Sequence, residues 1–306
     1  MARLGCALVL AFVAAGCGTS SPSRSSHPSA RPSVFSYDAA APLDYVDRGR
    51  VNTRRYPLAV HDVSYSSGLR RVEGYLVLPP GRRRRPAVVF VHGSGGDRTE
   101  LLRQAGWLAA RNVVTLTITA PSASARLTAS TPEAALAQTR ATAVADVVAV
   151  RRAVDLLRSL RAVDPARIGY VGWSAGARTG TLLAAAEPRL RALVLLSAGA
   201  APVSAYAAAV PPALRPRVRR VLRSIDPLRY VAQARPGSLL LEDGRRDEIV
   251  PRGALLNVVH AAPRGTAVRW YDTSHALDRK AYRDAFAWLA RKLRILGPPV
   301  RGAAIA

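Results

Sequence analysis

The order of elements along this chain predicts an α/β fold, a mostly parallel, twisted sheet with helices on both faces. Three observations carry that expectation. Short apolar runs end at glycine or turn residues, as strands buried on both faces do. Segments with helical spacing alternate with those runs, the pattern of successive βαβ units. And HGSGG (92–96), GWSAG (172–176) and EDGRRD (242–247) each fall just past a strand candidate, the edge at which parallel sheets bind their ligands.

The chain of 306 residues opens with MARLGCALVLAFVAAGC. Arg3 precedes an apolar run of about a dozen residues, too short to span a bilayer and the right length for an export signal. Ala14-Ala15-Gly16-Cys17 resembles a bacterial lipobox, with Ala14 where the commonest form has Leu. Residues 1–16 therefore read as a signal peptide and Cys17 as a lipidated N-terminus on the outer face of the cell membrane. The alternative is an ordinary signal cut near the same place, giving a secreted protein. Cys6 lies inside the signal, so Cys17 is the only cysteine left, and neither a disulfide framework nor a cysteine metal site is available. Residues 17–34 are rich in Ser, Pro and Arg without hydrophobic period, which predicts a disordered tether. The globular domain is expected over 35–306.

RVEGYLVLPP (71–80) alternates like a strand, and PAVVFVHGSGG (86–96) reads as a buried parallel strand ending in glycines. RTELLRQAGWLAARN (98–112) has helical spacing, and VVTLTITAP (113–121) is the next strand. Over 141–161, Val147, Val150, Val154 and Leu157 share one helical face. RIGYVG and AGARTGTLLAAAEP follow as strand and helix. Further strands are expected at 190–199, 237–244 and 267–274, and a closing helix at 279–295. The segment 200–236 interrupts the alternation. It carries a basic helical patch at 215–224 and is read either as a small cap or as ordinary surface helices.

The net charge is +25, and of 45 basic residues only Lys280 and Lys292 are lysines. Scattered arginine of this kind is read as a solvated surface, with attraction to anionic lipid or wall polymer as the functional alternative. No nucleic-acid motif accompanies it, and nucleic acid is not expected as a partner.

GWSAG matches G-x-S-x-G between a strand and a helix, the context in which a serine is held strained and exposed as a nucleophile, Ser174. Five histidines could serve as its base. His27 is in the tether, His61 is read as preceding the sheet, His92 as shaping a turn, and His260 as ending a structural helix. His275, just past the last strand, is the one placed at the same sheet edge as Ser174. Of the acids in the 239–251 loop, Asp247 is the expected partner of His275 and Asp243 the runner-up. The backbone N–H groups of Ser94 and Ala175 are the candidate oxyanion hole. No metal or cofactor is called for.

With these pieces in the order Ser…Asp…His, the globular part resembles the α/β-hydrolases, and is similar to their dienelactone-hydrolase-like and acyl-peptidase-like serine esterases. Many members have His where this chain has Trp173. The resemblance implies hydrolysis of a small-molecule or lipid-like carboxylic ester through an acyl-enzyme. Acyl transfer, amide or peptide cleavage by the same triad, and a non-catalytic binding lipoprotein on this scaffold are the alternatives. The sequence leaves the substrate's identity and the oligomeric state open.

Overall fold

The computed structural model describes residues 33–51, 58–125 and 128–295. The leader, Cys17 and the tether up to residue 32 lie outside the described residues. The strands are β1 (Val46–Arg50), β2 (Val60–Ser67), β3 (Arg70–Val77), β4 (Arg85–Val91), β5 (Val114–Ile118), β6 (Val163–Trp173), β7 (Leu190–Leu196), β8 (Leu239–Gly244) and β9 (Ala267–Tyr271). They form one sheet in the order β1-β2-β3-β5-β4-β6-β7-β8-β9. From β5 to β9 every pairing is parallel, whereas β1, β2 and β3 join antiparallel.

The helices are α1 (Leu102–Ala109), α2 (Pro132–Ser159), α3 (Ala175–Ala186), α4 (Val203–Ala208), α5 (Arg215–Arg223), α6 (Pro227–Val231), α7 (Arg252–Ala261) and α8 (Arg279–Lys292). Strand alternation sorts them onto two faces. Val89 and Val91 of β4 point into a core closed by α2, α3, α6 and α7. Val88 and Phe90 point into a second core closed by α1 and α8. Both faces are therefore covered, which is why the central strands read as unbroken apolar runs.

Two expectations change. His61 lies within β2, opposite Leu76 of β3, and its Nδ1 is 2.9 Å from Asp47 Oδ2. The two N-terminal strands escaped the sequence reading because β1 is exposed and β2 mixes polar and apolar residues without strict alternation. Helix α2 starts nine residues earlier than its apolar face suggests, at Pro132, with Thr131 Oγ1 accepting the Ala134 N–H. That start has its own signal, a capping Thr followed by Pro at the first helical position. In the 200–236 segment, α6 packs on α3 and α7 within the helix layer, and α4 and α5 pack on each other, with α5 also against α2.

The topology decides where chemistry can occur. Strand β4 lies between β5 and β6, so the chain runs one way along the sheet from β4 to β5 and then reverses past β4 to reach β6. The loops after β4, β6, β7, β8 and β9 then converge at one edge, past the C-terminal ends of their strands.

Candidate active site

Strand β6 passes into α3 through one residue, Ser174, at φ 53° and ψ −110°. Few non-glycine residues adopt such a backbone. It persists because the neighbours over-determine it: Ser174 N–H donates to the Leu196 carbonyl at the end of β7, and Gly176 N–H to the His92 carbonyl just past β4. Both glycines of the motif are required by packing. A Cβ on Gly172 would lie 2.5 Å from the Gly176 carbonyl, and one on Gly176 would overlap the Val91 carbonyl.

The three side chains expected to act together meet. His275 Nδ1 is 2.8 Å from Asp247 Oδ2, and its Nε2 is 2.9 Å from Ser174 Oγ. Asp247 also accepts the Ile249 and Val250 N–H groups on Oδ1, which fixes the plane of its carboxylate. A carboxylate at Asp247 that only accepts would take a hydrogen bond from Nδ1–H, and in the neutral imidazole that tautomer leaves Nε2 as an acceptor facing Ser174 Oγ.

The HGSGG loop is held by a carboxylate. Glu100 Oε2 accepts the Gly93 N–H at 2.8 Å, while Ser94 N–H has no protein acceptor among the described residues. The same holds for Ala175 N–H, the first amide of α3. His92 is buried with both nitrogens occupied: Nε2 accepts the Ala120 N–H, and Nδ1 donates to the Gly93 carbonyl. It shapes the turn, as expected from sequence. Arg98 anchors the same loop to the antiparallel strands, pairing with both Asp62 oxygens and lying over the Tyr75 ring at 4.2 Å.

A family model of the alpha/beta hydrolases matches residues 88–301. The chain belongs to the alpha/beta hydrolase family. No curated protein matches it. Among solved structures, it is similar to acetyl xylan esterase 1 from a Thermoanaerobacterium species, with TM-score 0.69 and 16% identity over 86% of this chain and 92% of that one. An acetyl xylan esterase from a Paenibacillus species gives TM-score 0.66 and 17% identity over 82% and 90%. A puromycin-hydrolyzing peptidase from Mycobacterium tuberculosis gives 0.62 and 18% over 80% of this chain and 41% of that one. At these identities the likeness is one of fold.

Within this alpha/beta hydrolase, sequence reasoning missed the residues that hold His275. Its carbonyl accepts from Trp173 Nε1 and from Ser197 Oγ, both at 3.0 Å, and its N–H donates to Glu248 Oε2 at 3.2 Å. The Trp173 and His275 rings sit 5.3 Å apart at 43°. The unusual residue at 173 was the available signal.

Asp243 stays away from the histidine. It is buried, Oδ1 has no partner among the described residues, and the Ala198 N–H donates to the carboxylate. Burial, with the nearby Asp247 and Glu242 carboxylates, pushes its pKa up to about 7. Glu242, on the opposite strand face, is also raised to about 7, chiefly by burial, although Tyr271 and Arg269 donate to it. The raised value means that the folded state holds a proton the unfolded chain has already released. Stability contributed by protonated Asp243 is therefore present below its ordinary value of 3.8 and is lost as pH rises towards about 7. Asp243→Asn should melt near wild type only at or below the ordinary value of 3.8, and increasingly above it as pH rises to about 8, read by thermal denaturation across that range. A residual slope from Glu242 should remain in the variant.

Proposed function

We propose that this chain is a serine hydrolase that cleaves a carboxylic ester through an acyl-enzyme. The observation that carries the proposal is the continuous hydrogen-bond relay from Ser174 through His275 to Asp247. The esterase names of two of the similar structures favour an ester as the bond attacked.

In this reading Ser174 Oγ attacks the acyl carbon while His275 Nε2 takes its proton. The carbonyl π-electrons move onto oxygen, and the Ser94 and Ala175 N–H groups donate to that oxyanion. Fixed donors of this kind are worth about 3 kcal/mol of barrier each. The C–O bond to the alcohol then breaks as His275 returns the proton to the leaving oxygen. Water repeats the cycle on the acyl-enzyme, releasing the acid and restoring Ser174. Asp247 keeps the imidazole in the required tautomer and stabilises its cation.

Ser174→Ala should abolish ester hydrolysis and labelling by a fluorophosphonate while leaving the melting temperature near wild type. Asp247→Asn should lower kcat by on the order of 10⁴-fold, and Asp243→Asn by far less. A folded Ser174→Ala protein with wild-type kcat would overturn the proposal.

Trp173 is a positioning residue in this mechanism. Trp173→Phe keeps an aromatic ring and removes the donor to the His275 carbonyl. It should lower kcat about tenfold, the equivalent of about 1.4 kcal/mol, with KM little changed. The acid limb of the kcat pH profile should move as well, because the imidazole's surroundings change.

The proposal also holds that the mature protein begins at an acylated Cys17 on the outer face of a bacterial membrane. Its support is the leader's charge, length and small residues before Cys17. No helix among the described residues is long and apolar enough to cross a membrane. Mass spectrometry of the mature N-terminus should find acyl chains on Cys17, and high salt should leave the protein membrane-bound. An unmodified N-terminus downstream of Cys17 would overturn this part alone.

A further inference from the structure

Between Glu187 and Asp226 the chain has no acidic residue, and α5 sits inside that interval with the sequence RPRVRRVLR. At helical spacing Val218, Val221 and Leu222 occupy one side, with Val218 buried. Arg217, Arg219, Arg220 and Arg223 occupy the other and are exposed. Two neighbours widen this face. Arg140 of α2 bonds to Ser224 Oγ at the end of α5, and Arg229 of α6 bonds to the Arg223 carbonyl. Both are exposed. Among the described residues none of these six arginines forms an ion pair, whereas Arg98, Arg151, Arg152, Arg167 and Arg189 elsewhere do. Helix α4, which packs on α5, adds the half-exposed ring of Tyr206.

We propose that the arginine face of α5, with Arg140, Arg229 and Tyr206 beside it, is a docking surface for an anionic phospholipid membrane. Six guanidinium groups without carboxylates lack internal neutralisation, so their complement is a dense array of phosphates. A helix with a basic face is the form in which such contact is made, and tyrosine is favoured at the headgroup level. The export leader favours a membrane over a nucleic acid as the phosphate array this domain meets. The inference is independent of the ester-cleaving reading. It would add a second, salt-sensitive contact to any acyl anchor and would orient the domain on the membrane.

The other arginine cluster supplies the control. Arg82, Arg83 and Arg84 are also exposed, in the turn before β4, but they lie on no helix, and the Asp164 carboxylate is within electrostatic reach of Arg84. The test uses the full chain carrying Cys17→Ser, so that no acyl chain contributes. It is mixed with vesicles of phosphatidylcholine alone or with an equal part of phosphatidylglycerol, and binding is read by co-sedimentation. The chain should bind only the anionic vesicles and leave them at high salt.

Arg217→Gln/Arg219→Gln/Arg220→Gln should lower the partition coefficient on the order of a hundredfold, at about 1 kcal/mol per arginine. The matched triple at Arg82, Arg83 and Arg84 should lower it severalfold at most. The corresponding triple to Lys on α5 should keep binding, which separates lost charge from a damaged helix. Equal losses in the two neutral triples would overturn the proposal, because binding would then follow net charge alone. Stronger binding to single-stranded RNA than to vesicles at matched phosphate, abolished by the α5 triple, would also overturn it and reassign the surface to a polymer.

Discussion

The site depends on one backbone constraint, the absence of any Cβ between the end of β4 and the start of α3. Gly176 lies against the Val91 and His92 carbonyls so closely that no side chain fits, and its N–H bonds the latter. Gly172 lies against Gly176 in the same way. Strand β6 must therefore turn into α3 within a single residue, and Ser174 takes the positive φ that this turn requires. Such a conformation costs on the order of 1–3 kcal/mol. Bonds to the backbone of two neighbouring strands offset it, so the hydroxyl's position is set by the sheet itself. The glycine-rich loop, the helix start and the histidine loop then assemble around a fixed point.

The acidic loop after β8 shows how the fold sorts chemically similar groups. Four carboxylates lie within seven residues of sequence, and each meets a different environment. Glu242 and Asp243 are successive strand residues, so their side chains leave opposite faces of the sheet. Glu242 meets Arg269 and Tyr271 from β9, while Asp243 is enclosed with only a backbone donor. Asp247 has turned back towards the sheet edge, where two backbone N–H groups and His275 share its oxygens. Glu248 takes the N–H of His275. Burial raises the pKa of Asp243, which keeps a second full charge from competing with Asp247 at low pH. The residue nearer the strand is thus less suited to partner the histidine than the one in the loop.

Much of this was legible in the sequence. Central strands buried on both faces are readable as apolar runs, and the glycine motifs at their ends locate the site. Ser174, His275 and Asp247 could be selected because their order and their distances past strand ends restrict the choice. The antiparallel edge was not legible: β1 has no buried side chain, and β2 has no clean period. Nor were Ser197, Glu248 or Glu100. Each acts on a backbone atom of another residue, His275 or Gly93, and a backbone acceptor or donor leaves no mark on residue type. Ser197 and His275 are 78 positions apart, and only the pairing of β7 with β8, and of β8 with β9, brings their loops together.

Trp173 links the two loops that flank Ser174. Its place in G-x-S-x-G is nominally free, yet its indole lies against both the glycine-rich loop and the histidine loop. A Cβ on Gly93 would lie 2.9 Å from the ring, so the indole sets how close the glycine-rich loop can come. Its N–H holds the carbonyl of His275, and its ring packs beside the imidazole. A smaller side chain at 173 would leave a gap between the glycine-rich loop and the histidine loop, and gaps in packed interiors are either filled by movement or left at a cost. A residue with Cβ at 93 would force the ring away from His275. The identities of residues 93 and 173 are therefore coupled by volume, and that coupling is what lets two loops from β4 and β9 keep a common geometry around Ser174.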